Sequence, residues 1–491
     1  MTAVLITTSY QLPATSLYAQ ASRGALTPGT FAISNVSVIP MTADTLLRDV
    51  TVVVTDGRIT AVGPARSVRV PSGARRIDGR GKFLIPGLAD MHTHLYADDA
   101  VPDSVAPDEL GVMVANGVTA TRLMIGTPEH LQLRRDIEAG RFPGPQLWIS
   151  SPQFTGRRQD TNAKLVTTPD EARAAVRDVA AAGYDFIKLT LNITPEVYEA
   201  VVAEAAQQSI RLVGHVDPRV GVPRALAAGQ HVEHLDNYME TVLADSAPSR
   251  ESVSDIGVFR PARWASLDHV DDRKVEWLAG LTARSRTFTT PTLAMFRSSF
   301  AEGIPDSVIH RRPDWDLITP PIRFGYLRAR DRYWASPPAA ERRARYVAVR
   351  NRMVKAIADS GGTIMAGSDT PEWFNVYGFA LHRELEALVG AGLSPRQALA
   401  AATVNPARFL GAEADWGTIE PGRRADLVLL DANPLEDIRN TTRIQAVSLG
   451  GRWFTAPQLQ SMIQLASRRI DGIAPDSLRA DGASGGPSRE P

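Results

Sequence analysis

The stretch that decides the fold is Phe83-Leu84-Ile85-Pro86-Gly87-Leu88-Ala89-Asp90-Met91-His92-Thr93-His94, an apolar run that ends in a His-x-His pair. Residues i and i+2 of a strand point to the same side, so His92 and His94 project together from the C-terminal end of this strand. Two imidazoles on one face are a common pair of metal ligands, although a His-x-His pattern alone is weak evidence. Its place directly after an apolar run with a Pro-Gly turn strengthens the prediction of a metal site.

Beyond this strand, strand-like and helix-like runs alternate along the chain, a pattern that predicts a parallel sheet with crossover helices. The candidate strands end at His94, Met124, Phe154, Thr190, Val216, Asp236, Leu293 and Asp369. Eight strands with intervening helices predict an α/β protein built as a (β/α)8 TIM barrel with an insertion. A doubly wound sheet is the alternative, but no Gly-rich phosphate loop follows the first strand.

Two blocks of short β-like runs flank the barrel, at residues 30–84 and 416–456. We predict that they form one small composite β-sandwich from both chain ends, with two unrelated caps as the alternative. The barrel is predicted to span 85–415, with an Arg- and aromatic-rich insert at about 296–350. A C-terminal helix and a disordered, Gly/Ser/Pro-rich tail are expected over 457–491.

Composition limits the class of protein. The chain has 491 residues, no Cys, and equal numbers of basic and acidic residues, 54 each. The balanced charge argues against a nucleic-acid partner. No run approaches the ~18 consecutive apolar residues of a membrane span, so no membrane partner is expected. Without Cys, a metal must be held by His, Asp, Glu or a modified side chain.

The first 29 residues resemble the end of an export signal, with a small-x-small site at Ala19-Gln20-Ala21. Their short apolar run lacks the basic residues that normally precede it. Because the small-x-small site is still typical of an export signal, we favour a periplasmic or secreted protein over a cytoplasmic one. A disordered start of the chain is the alternative.

A buried lysine is expected at the end of a later strand, in Phe186-Ile187-Lys188-Leu189-Thr190. Burying an unpaired amine is costly, so Lys188 needs a reason to be there. Three reasons are open. Lys188 is an amine of lowered pKa, or a carbamate formed with CO2 that bridges two cations, or an ordinary lysine that reaches solvent or pairs with a carboxylate.

Two more histidines end consecutive strands, His215 in Leu212-Val213-Gly214-His215-Val216 and His234 in Val232-Glu233-His234-Leu235. His231 lies at the start of its strand and is predicted to be a bystander. Asp369 closes the eighth strand, which lies beside the first in a closed barrel. An aspartate there can touch a metal with one oxygen and accept a proton from water with the other. A cap for the following helix is the alternative role of Asp369.

Together these segments resemble the amidohydrolase superfamily, whose members are metal-dependent hydrolases with a (β/α)8 barrel and a composite β-sandwich. The resemblance covers roughly residues 31–455. Besides the first strand, it rests on Gly117-Val118-Thr119, Asp185-Phe186-Ile187-Lys188, Gly367-Ser368-Asp369, Ala402-Thr403-Val404-Asn405-Pro406-Ala407 and 417–428. Within the superfamily, the chain is similar to the branch of imidazolonepropionase-related and Xaa-Pro dipeptidase-like metallocarboxypeptidases, which also includes ochratoxin-type amide hydrolases.

The resemblance implies a binuclear site with two divalent ions, of which Zn2+ suits the ligands best, and a carbamate on Lys188. The implied ligands are His92, His94, Lys188, His215, His234 and Asp369. The His-x-His pair and Asp369 would hold one ion, the two later histidines the other, and both ions would share the carbamate. Asp369 would also accept the proton of the attacking water. The lysine on the fourth strand favours two-metal peptidases over mononuclear deaminases.

We therefore predict an amidohydrolase that cleaves a peptide or N-acyl amino acid bond with water activated at this binuclear site. Among enzymes, the alternative is a deaminase, or a lactonase or cyclic-amide hydrolase, on the same core. The alternative outside enzymes is a metal-free scaffold protein. The expected partner is a small-molecule amide with a free carboxylate, and the expected assembly is a homo-oligomer.

Four residues near the barrel mouth are candidate substrate contacts: Asp217, Arg219, Tyr238 and Arg297. The related carboxypeptidases tend to carry a tyrosine at the position of Asp217, so only their hydrolytic core is carried over. An arginine that binds a carboxylate through two hydrogen bonds orients it as well as holding it, which makes Arg219 and Arg297 candidates. The alternative is that both arginines lie on the surface of a chain rich in arginine.

Overall fold

The computed structural model describes residues 28–95, 105–157, 162–247 and 266–471. The strands in these ranges are β1 (Phe31–Val38), β2 (Leu47–Thr55), β3 (Arg58–Pro64), β4 (Arg75–Asp78), β5 (Phe83–Pro86), β6 (Leu88–Thr93), β7 (Val118–Leu123), β8 (Gln146–Ile149), β9 (Gln153–Thr155), β10 (Ala163–Leu165), β11 (Phe186–Leu189), β12 (Arg211–Gly214), β13 (His231–Glu233), β14 (Phe288–Thr290), β15 (Thr363–Ile364), β16 (Leu427–Leu430), β17 (Ile444–Leu449) and β18 (Arg452–Thr455). The predicted export-signal site and tail lie outside the described residues.

The α-helices in the same ranges are α1 (Ala106–Ala115), α2 (Pro128–Glu138), α3 (Pro169–Ala182), α4 (Pro195–Gln207), α5 (Val222–Ala227), α6 (Tyr238–Thr241), α7 (Asp272–Ser285), α8 (Leu293–Phe296), α9 (Asp306–Ile309), α10 (Pro320–Trp334), α11 (Ala340–Asp359), α12 (Phe379–Gly390), α13 (Pro395–Ala401), α14 (Val404–Leu410) and α15 (Ala456–Asp471). A π-helix, Arg297–Glu302, follows α8. None of these described helices has the length and hydrophobicity that a membrane span requires.

Between β6 and β15 the chain alternates strand and helix, and its strands pair in parallel. Seven of them form one sheet in the order β10-β9-β11-β12-β13-β14-β15, and β6, β7 and β8 form a second sheet. Isolated parallel bridges lie between the two sheets, Ser150–Phe186 on one side and Thr93–Thr370 on the other. The predicted α/β fold with parallel strands is therefore confirmed.

Several strand ends differ from the prediction. β15 ends at Ile364, so Asp369 does not close that strand but lies in the loop after it, where its φ of 56° is not that of an extended strand. At two other strand ends the difference coincides with a proline. β8 ends at Ile149, and the residues up to Phe154 belong to a separate strand, β9, that begins after Pro152. β14 ends at Thr290, next to Pro291, and Leu293 begins a helix instead of ending a strand. Proline has no amide hydrogen for the ladder, so it ends a strand that apolar residues alone would extend.

The helices begin where the sequence supplies a cap. Thr168 accepts a hydrogen bond from a backbone amide in the first turn of α3, and Pro169 occupies that turn. Thr127 and Thr194 cap α2 and α4 in the same way. α3 ends at Gly183, whose φ of 87° is readily adopted only by glycine. These local signals set the length of each helix and so the point at which the next parallel strand starts.

Strands from both ends of the described chain form one further sheet. Its order is β18-β17-β16-β5-β1-β2-β3, and β4 pairs with β1. β5 and β16 are antiparallel neighbours, with Leu84 opposite Leu429. Both side chains are buried in one apolar cluster with Ile33 and Val52. The two terminal blocks therefore share a sheet instead of forming separate caps.

The predicted insert is helical and aromatic. It contains α8, the π-helix, α9, α10 and the first half of α11. Its buried rings form a cluster of Phe296, Phe300, Tyr333 and Tyr346, joined by Trp373 from the loop after β15. The insert therefore packs against the loop that carries Asp369 through shared apolar surface.

Candidate functional site

The ends of the parallel strands bring four predicted ligands into one cluster. His92 lies near the end of β6, His234 directly follows β13, and Asp369 lies in the loop after β15. One ligand atom from each of these three residues lies within 4.8 Å of the others. Asp369 Oδ1 is 3.4 Å from His92 Nε2 and 3.1 Å from His94 Nε2. All four side chains are buried, so they form a compact site of three imidazoles and one carboxylate.

The other two predicted ligands lie beside this cluster. The rings of His215 and His234 stack with 5.0 Å between their centroids. Lys188, in β11, is 1% exposed, and its Nζ has no hydrogen-bond partner among the described residues. Burial lowers the pKa of this amine, and the nearby carboxylates of Glu233 and Asp369 oppose that shift. The structure therefore excludes the solvent-exposed alternative for Lys188.

Three of the histidines are oriented by a hydrogen bond at one ring nitrogen. The contacts are His92 Nδ1 to Glu233 Oε2 at 2.7 Å, His215 Nδ1 to Asp236 Oδ2 at 2.6 Å, and His234 Nδ1 to Thr292 Oγ1 at 2.7 Å. A partner at Nδ1 fixes the plane of the ring and leaves Nε2 for a second contact. Histidines that bind metals are commonly held in this way.

Glu233 and Arg122 belong to the site but escaped detection in the sequence. Arg122 Nη2 donates to Glu233 Oε1 at 2.7 Å, and Arg122 Nε donates to the carbonyl of Met91 at 2.7 Å. Burial raises the pKa of Glu233, and the guanidinium beside it opposes that shift. The available signals were an acidic residue directly before His234 and an arginine inside the otherwise uncharged strand β7.

The backbone around the site is strained at several residues. His234, Thr292 and Asp369 have φ values of 59°, 46° and 56°. Residues other than glycine in this region cost about 1–3 kcal/mol each, and such residues cluster at functional sites. Gly367 lies against β6, where an added Cβ would be 2.7 Å from His92 Cβ. Strand ends and loops are therefore fitted closely around the ligands.

Asp217 and Arg219, two of the candidate substrate residues, bind each other after β12. Arg219 Nε donates to Asp217 Oδ1, and Arg219 Nη2 donates to Asp217 Oδ2, both at 2.9 Å. Asp217 Oδ2 also accepts the amide of Ile193 at 3.1 Å. The carboxylate of Asp217 is therefore used in holding the arginine and the loop after β11.

Tyr238 and Arg297, the other two candidates, are placed differently. Tyr238 is fully buried, and its hydroxyl is 3.0 Å from Thr282 Oγ1 on α7. Arg297 begins the π-helix, and its Nε donates to Glu302 at 2.5 Å. The structure thus brings His92, His94, His234 and Asp369 together, with His215 stacked on His234 and Lys188 buried in β11. The side chains of Tyr238 and Arg297 are instead engaged with helices around them.

The residues present fit a divalent metal ion. His92 Nε2 and Lys188 Nζ are buried and lack hydrogen-bond partners within the described ranges. Buried polar atoms are nearly always paired, so two such atoms beside a carboxylate suggest a group that would complete their contacts. Imidazole and carboxylate are typical ligands of Zn2+, and a carbamate on Lys188 would offer two further oxygens.

Comparisons with known sequences show similarity over part or most of the chain. Residues 326–454, which include Asp369, match the model of the Amidohydrolase family. The chain is 26% identical over 394 residues to the imidazolonepropionase of Symbiobacterium thermophilum, covering 76% of this chain and 82% of that one. It is 22% identical over 477 residues to the ochratoxinase of Aspergillus niger, covering 84% of each chain.

Solved structures give the same result. Bottromycin amidohydrolase is similar with a TM-score of 0.74 and 25% identity, covering 95% of this chain and 96% of that one. A putative prolidase from Bifidobacterium longum has a TM-score of 0.65 and 26% identity, covering 90% of this chain and 99% of that one. These likenesses extend over both the parallel sheets and the terminal sheet. With the buried His/His/Asp group at the strand ends, these similarities support a member of the amidohydrolase superfamily and indicate a hydrolase acting on carbon–nitrogen bonds.

Proposed function

We propose that this protein is a metal-dependent hydrolase that cleaves a peptide or N-acyl amino acid bond at a binuclear centre. The observation that carries the proposal is the convergence of His92, His234 and Asp369, whose ligand atoms lie within 4.8 Å of one another, beside the buried amine of Lys188. The similarity to a putative prolidase and to an amidohydrolase supports an amide as the substrate.

The proposed ligands are His92, His94, Lys188, His215, His234 and Asp369. In this arrangement the first two histidines and Asp369 would hold one ion, His215 and His234 would hold the other, and a carbamate on Lys188 would supply oxygens to both. Two divalent ions, most simply Zn2+, would polarise the amide carbonyl and lower the pKa of water. The Nζ of Lys188 is buried and has no hydrogen-bond partner among the described residues, which supports the carbamate. The modification would place two oxygens at this position that could bind metal ions.

Asp369 is the proposed base. Its Oδ1 faces the His-x-His pair, and its Oδ2 is 3.7 Å from His234 Nδ1. The carboxylate is thus held between strands β6 and β13, where it accepts a proton from the attacking water and returns it to the leaving amine. Neither a serine nor a cysteine nucleophile is needed for this route.

We further propose that the two parallel sheets close into one (β/α)8 barrel and that the terminal sheet forms the β-sandwich part of the protein. Backbone hydrogen bonds between the sheets support closure, among them Met91 N to Ala366 O at 2.9 Å and Ser151 N to Phe186 O at 2.8 Å. A closed barrel makes the first and last strands neighbours, which accounts for the contact between the His-x-His pair and Asp369. The domain boundaries that we propose are the ones given in the sequence analysis.

The proposed substrate carries a carboxylate near the scissile bond, and Arg219 is the proposed contact. Asp217 fixes its guanidinium through two hydrogen bonds, while half of the Arg219 side chain stays exposed after β12. A guanidinium held in this way loses little conformational entropy when it binds a second carboxylate. Arg297 lies on the π-helix beside Glu302 and serves as a matched control.

The test is a hydrolysis panel on protein supplied with Zn2+ and bicarbonate. We expect turnover of N-acyl amino acids or dipeptides, with kcat/KM about 10–100-fold lower for their methyl esters, because a charge-assisted hydrogen bond contributes about 1.5–3 kcal/mol. Arg219→Gln should remove this preference and Arg297→Gln should keep it. Elemental analysis should find two metal ions in each chain. A protein that hydrolyses none of these amides after metal loading would contradict the proposal.

A cyclic amide is the second candidate substrate, because the similarity to imidazolonepropionase covers 82% of that enzyme. The same panel therefore includes imidazolones and hydantoins. Turnover of the cyclic amides alone would favour this second candidate over the peptidase-like function. Opening a cyclic amide would use the same proposed base. Asp369→Asn therefore cannot distinguish the two candidate functions, and it tests only the proposed mechanism.

A further inference from the structure

A buried ion pair lies next to the cluster of proposed ligands. Arg122 in β7 and Glu233 in β13 are both 0% exposed, and their side chains meet at 2.7 Å. The interior of a parallel barrel is usually filled with branched apolar side chains. Replacing a buried ion pair with apolar residues is often neutral or stabilising, so stability alone gives little reason for the pair. Its contacts suggest a different role.

Both oxygens of Glu233 are used. Oε1 accepts a hydrogen bond from Arg122 Nη2, and Oε2 lies 2.7 Å from His92 Nδ1. Arg122 is itself fixed by the carbonyl of Met91 at 2.7 Å and by the hydroxyl of Thr290 at 3.3 Å. The pair therefore joins strands of both parallel sheets, β6 and β7 of one and β13 and β14 of the other. It ends at the His92 ring, whose Nε2 is 3.4 Å from Asp369 Oδ1.

The chemistry of the partner decides which nitrogen of His92 carries hydrogen. Glu233 is paired with the Arg122 guanidinium, and a carboxylate in such an ion pair only accepts hydrogen bonds. His92 Nδ1 therefore donates to it, and Nε2 keeps its lone pair. His92 Nε2 is the atom 3.4 Å from Asp369 Oδ1. By contrast, the hydroxyl of Thr292 beside His234 both donates and accepts, so it leaves that ring free to adopt either tautomer.

We propose that Arg122 and Glu233 are positioning residues that fix the orientation and the Nδ1–H tautomer of His92, and so prepare this imidazole to bind a metal through Nε2. Arg122 acts through Glu233, which it holds in one rotamer and whose charge it compensates. The inference rests on the proposed metal-dependent function, but it concerns residues outside the proposed ligand set.

The experiment separates positioning from folding. Removing one member of the pair leaves a buried charge uncompensated and is expected to lower the melting temperature strongly. The double variant Arg122→Met/Glu233→Met removes both charges, so its metal-free form is expected to melt close to the wild type. Two single variants, Glu233→Gln and Glu233→Met, differ in whether an oxygen remains to accept from His92 Nδ1.

The readout is the dissociation constant for Zn2+, measured by competition with a chromophoric chelator. We expect a 10–100-fold weaker constant for the double variant and for Glu233→Met, the range seen when such outer contacts to a metal ligand are lost. Glu233→Gln should weaken binding less than tenfold. Asp185→Leu is the matched control. Asp185 forms a partly buried ion pair with Arg134 at 2.7 Å, and it precedes the strand that carries Lys188, at the end of that strand away from the proposed ligands. This control should lose stability without losing zinc affinity.

The possible outcomes separate a failure of the proposed function from a failure of this inference alone. Wild-type protein that binds no divalent ion overturns the proposed function and this inference with it. Zinc affinity of the double variant equal to that of the wild type overturns the inference alone, and the proposed function stands. If the double variant does not fold, the two single variants decide, because both leave the same uncompensated charge on Arg122. Zinc affinities of Glu233→Gln and Glu233→Met that agree within the error of the measurement overturn the inference, and weaker binding by Glu233→Met supports it.

Discussion

His231 and His234 belong to one short segment, yet they lie in different chemical surroundings. His231 begins β13, where its Nδ1 accepts the amide of Phe288 at 2.9 Å, and burial lowers its pKa to about 3. His234 lies just past the strand end, with its ring 4.5 Å from that of His92. His231 lies at the start of its strand, as predicted, and its ring contacts the neighbouring strand. Distance from the strand end therefore decides which histidine has structural contacts and which joins the site.

Asp369→Asn tests the proposed base. The amide keeps one oxygen for a ligand contact but cannot accept a proton from water. We expect kcat to fall about 10²–10⁴-fold, while bound zinc changes much less. Steady-state kinetics with metal analysis on the same sample checks this. Unchanged turnover at full metal occupancy would remove Asp369 from the mechanism.

Lys188→Ala tests the shared ligand. Loss of the amine removes the group that would carry the carbamate, so we expect the variant to lose one of two bound ions and most of its activity. A short acid such as propionate should restore part of the turnover, because its carboxylate fits the space that the side chain leaves. Lys188→Arg, which cannot form the carbamate and fills the space, should show no such rescue.

Gly367→Ala tests how closely the loop before Asp369 packs against β6. The added Cβ would lie 2.5 Å from Thr290 Cγ2 and 2.7 Å from His92 Cβ. We expect a loss of about 1–3 kcal/mol in the free energy of unfolding, together with weaker zinc binding. Gly325→Ala is the control, because nothing lies within 4 Å of its added Cβ and it is helical. That substitution should raise stability by roughly 0.5–1 kcal/mol.

At the scale of elements, the strands that carry His92 and Lys188 could be predicted because each is a largely apolar run next to or around a residue of the site. The apolar run before His92 and the strand around Lys188 are both observed. The ends of β8 and β14 could not be placed from hydrophobicity, because Pro152 and Pro291 interrupt runs that look continuous. The role of Glu233 was also hidden, since its partner Arg122 is 111 positions away in the sequence.

Helix α12 carries a histidine that connects it to its neighbours, and this contact predicts a pH effect. His382 Nδ1 is 2.9 Å from the Thr441 hydroxyl, and its Nε2 is 3.1 Å from the carbonyl of Asn116. Burial lowers its pKa to about 4, below the ordinary value of about 6.5. The folded state therefore favours the neutral ring, and the stability that this ring contributes is complete above pH 6.5 and is lost as the pH falls toward 4.

His382→Gln removes that titration. Between pH 7 and pH 4.5 we expect the wild type to lose on the order of 2–3 kcal/mol more than the variant, at about 1.4 kcal/mol for each pH unit. Denaturant unfolding at several pH values measures the difference. His310→Gln, at an exposed position, should follow the wild type. Parallel pH profiles for wild type and His382→Gln would contradict the assignment of this histidine.

At the scale of the whole molecule, strands from the two ends of the described chain pair next to the strand that carries the His-x-His pair. β16 pairs with β5, and β5 leads within two residues into β6, which carries the His-x-His pair. Gly87, between them, donates its amide to Asp426 O at 2.8 Å. At the other end of the chain, Arg469 of α15 pairs with Asp108 of α1 at 2.9 Å. The sequence indicated two flanking β blocks, but it carried no signal for which strands of each block pair.

This arrangement predicts that metal binding stabilises the terminal sheet as well as the ligand strands. A metal that binds only the folded chain adds about 2.7 kcal/mol at a free concentration 100 times its dissociation constant. Because β5 joins β16 directly to β6, we expect one unfolding transition, raised by zinc and lowered by a chelator. Hydrogen exchange should show amides of β16 and β6 losing protection together when zinc is removed. In the same titration, zinc should raise the transition of Asp369→Ala less than that of the wild type, because one of the two proposed ions loses a ligand. Two separate transitions, with only the one that includes β6 responding to zinc, would mean that the terminal sheet folds independently of the site.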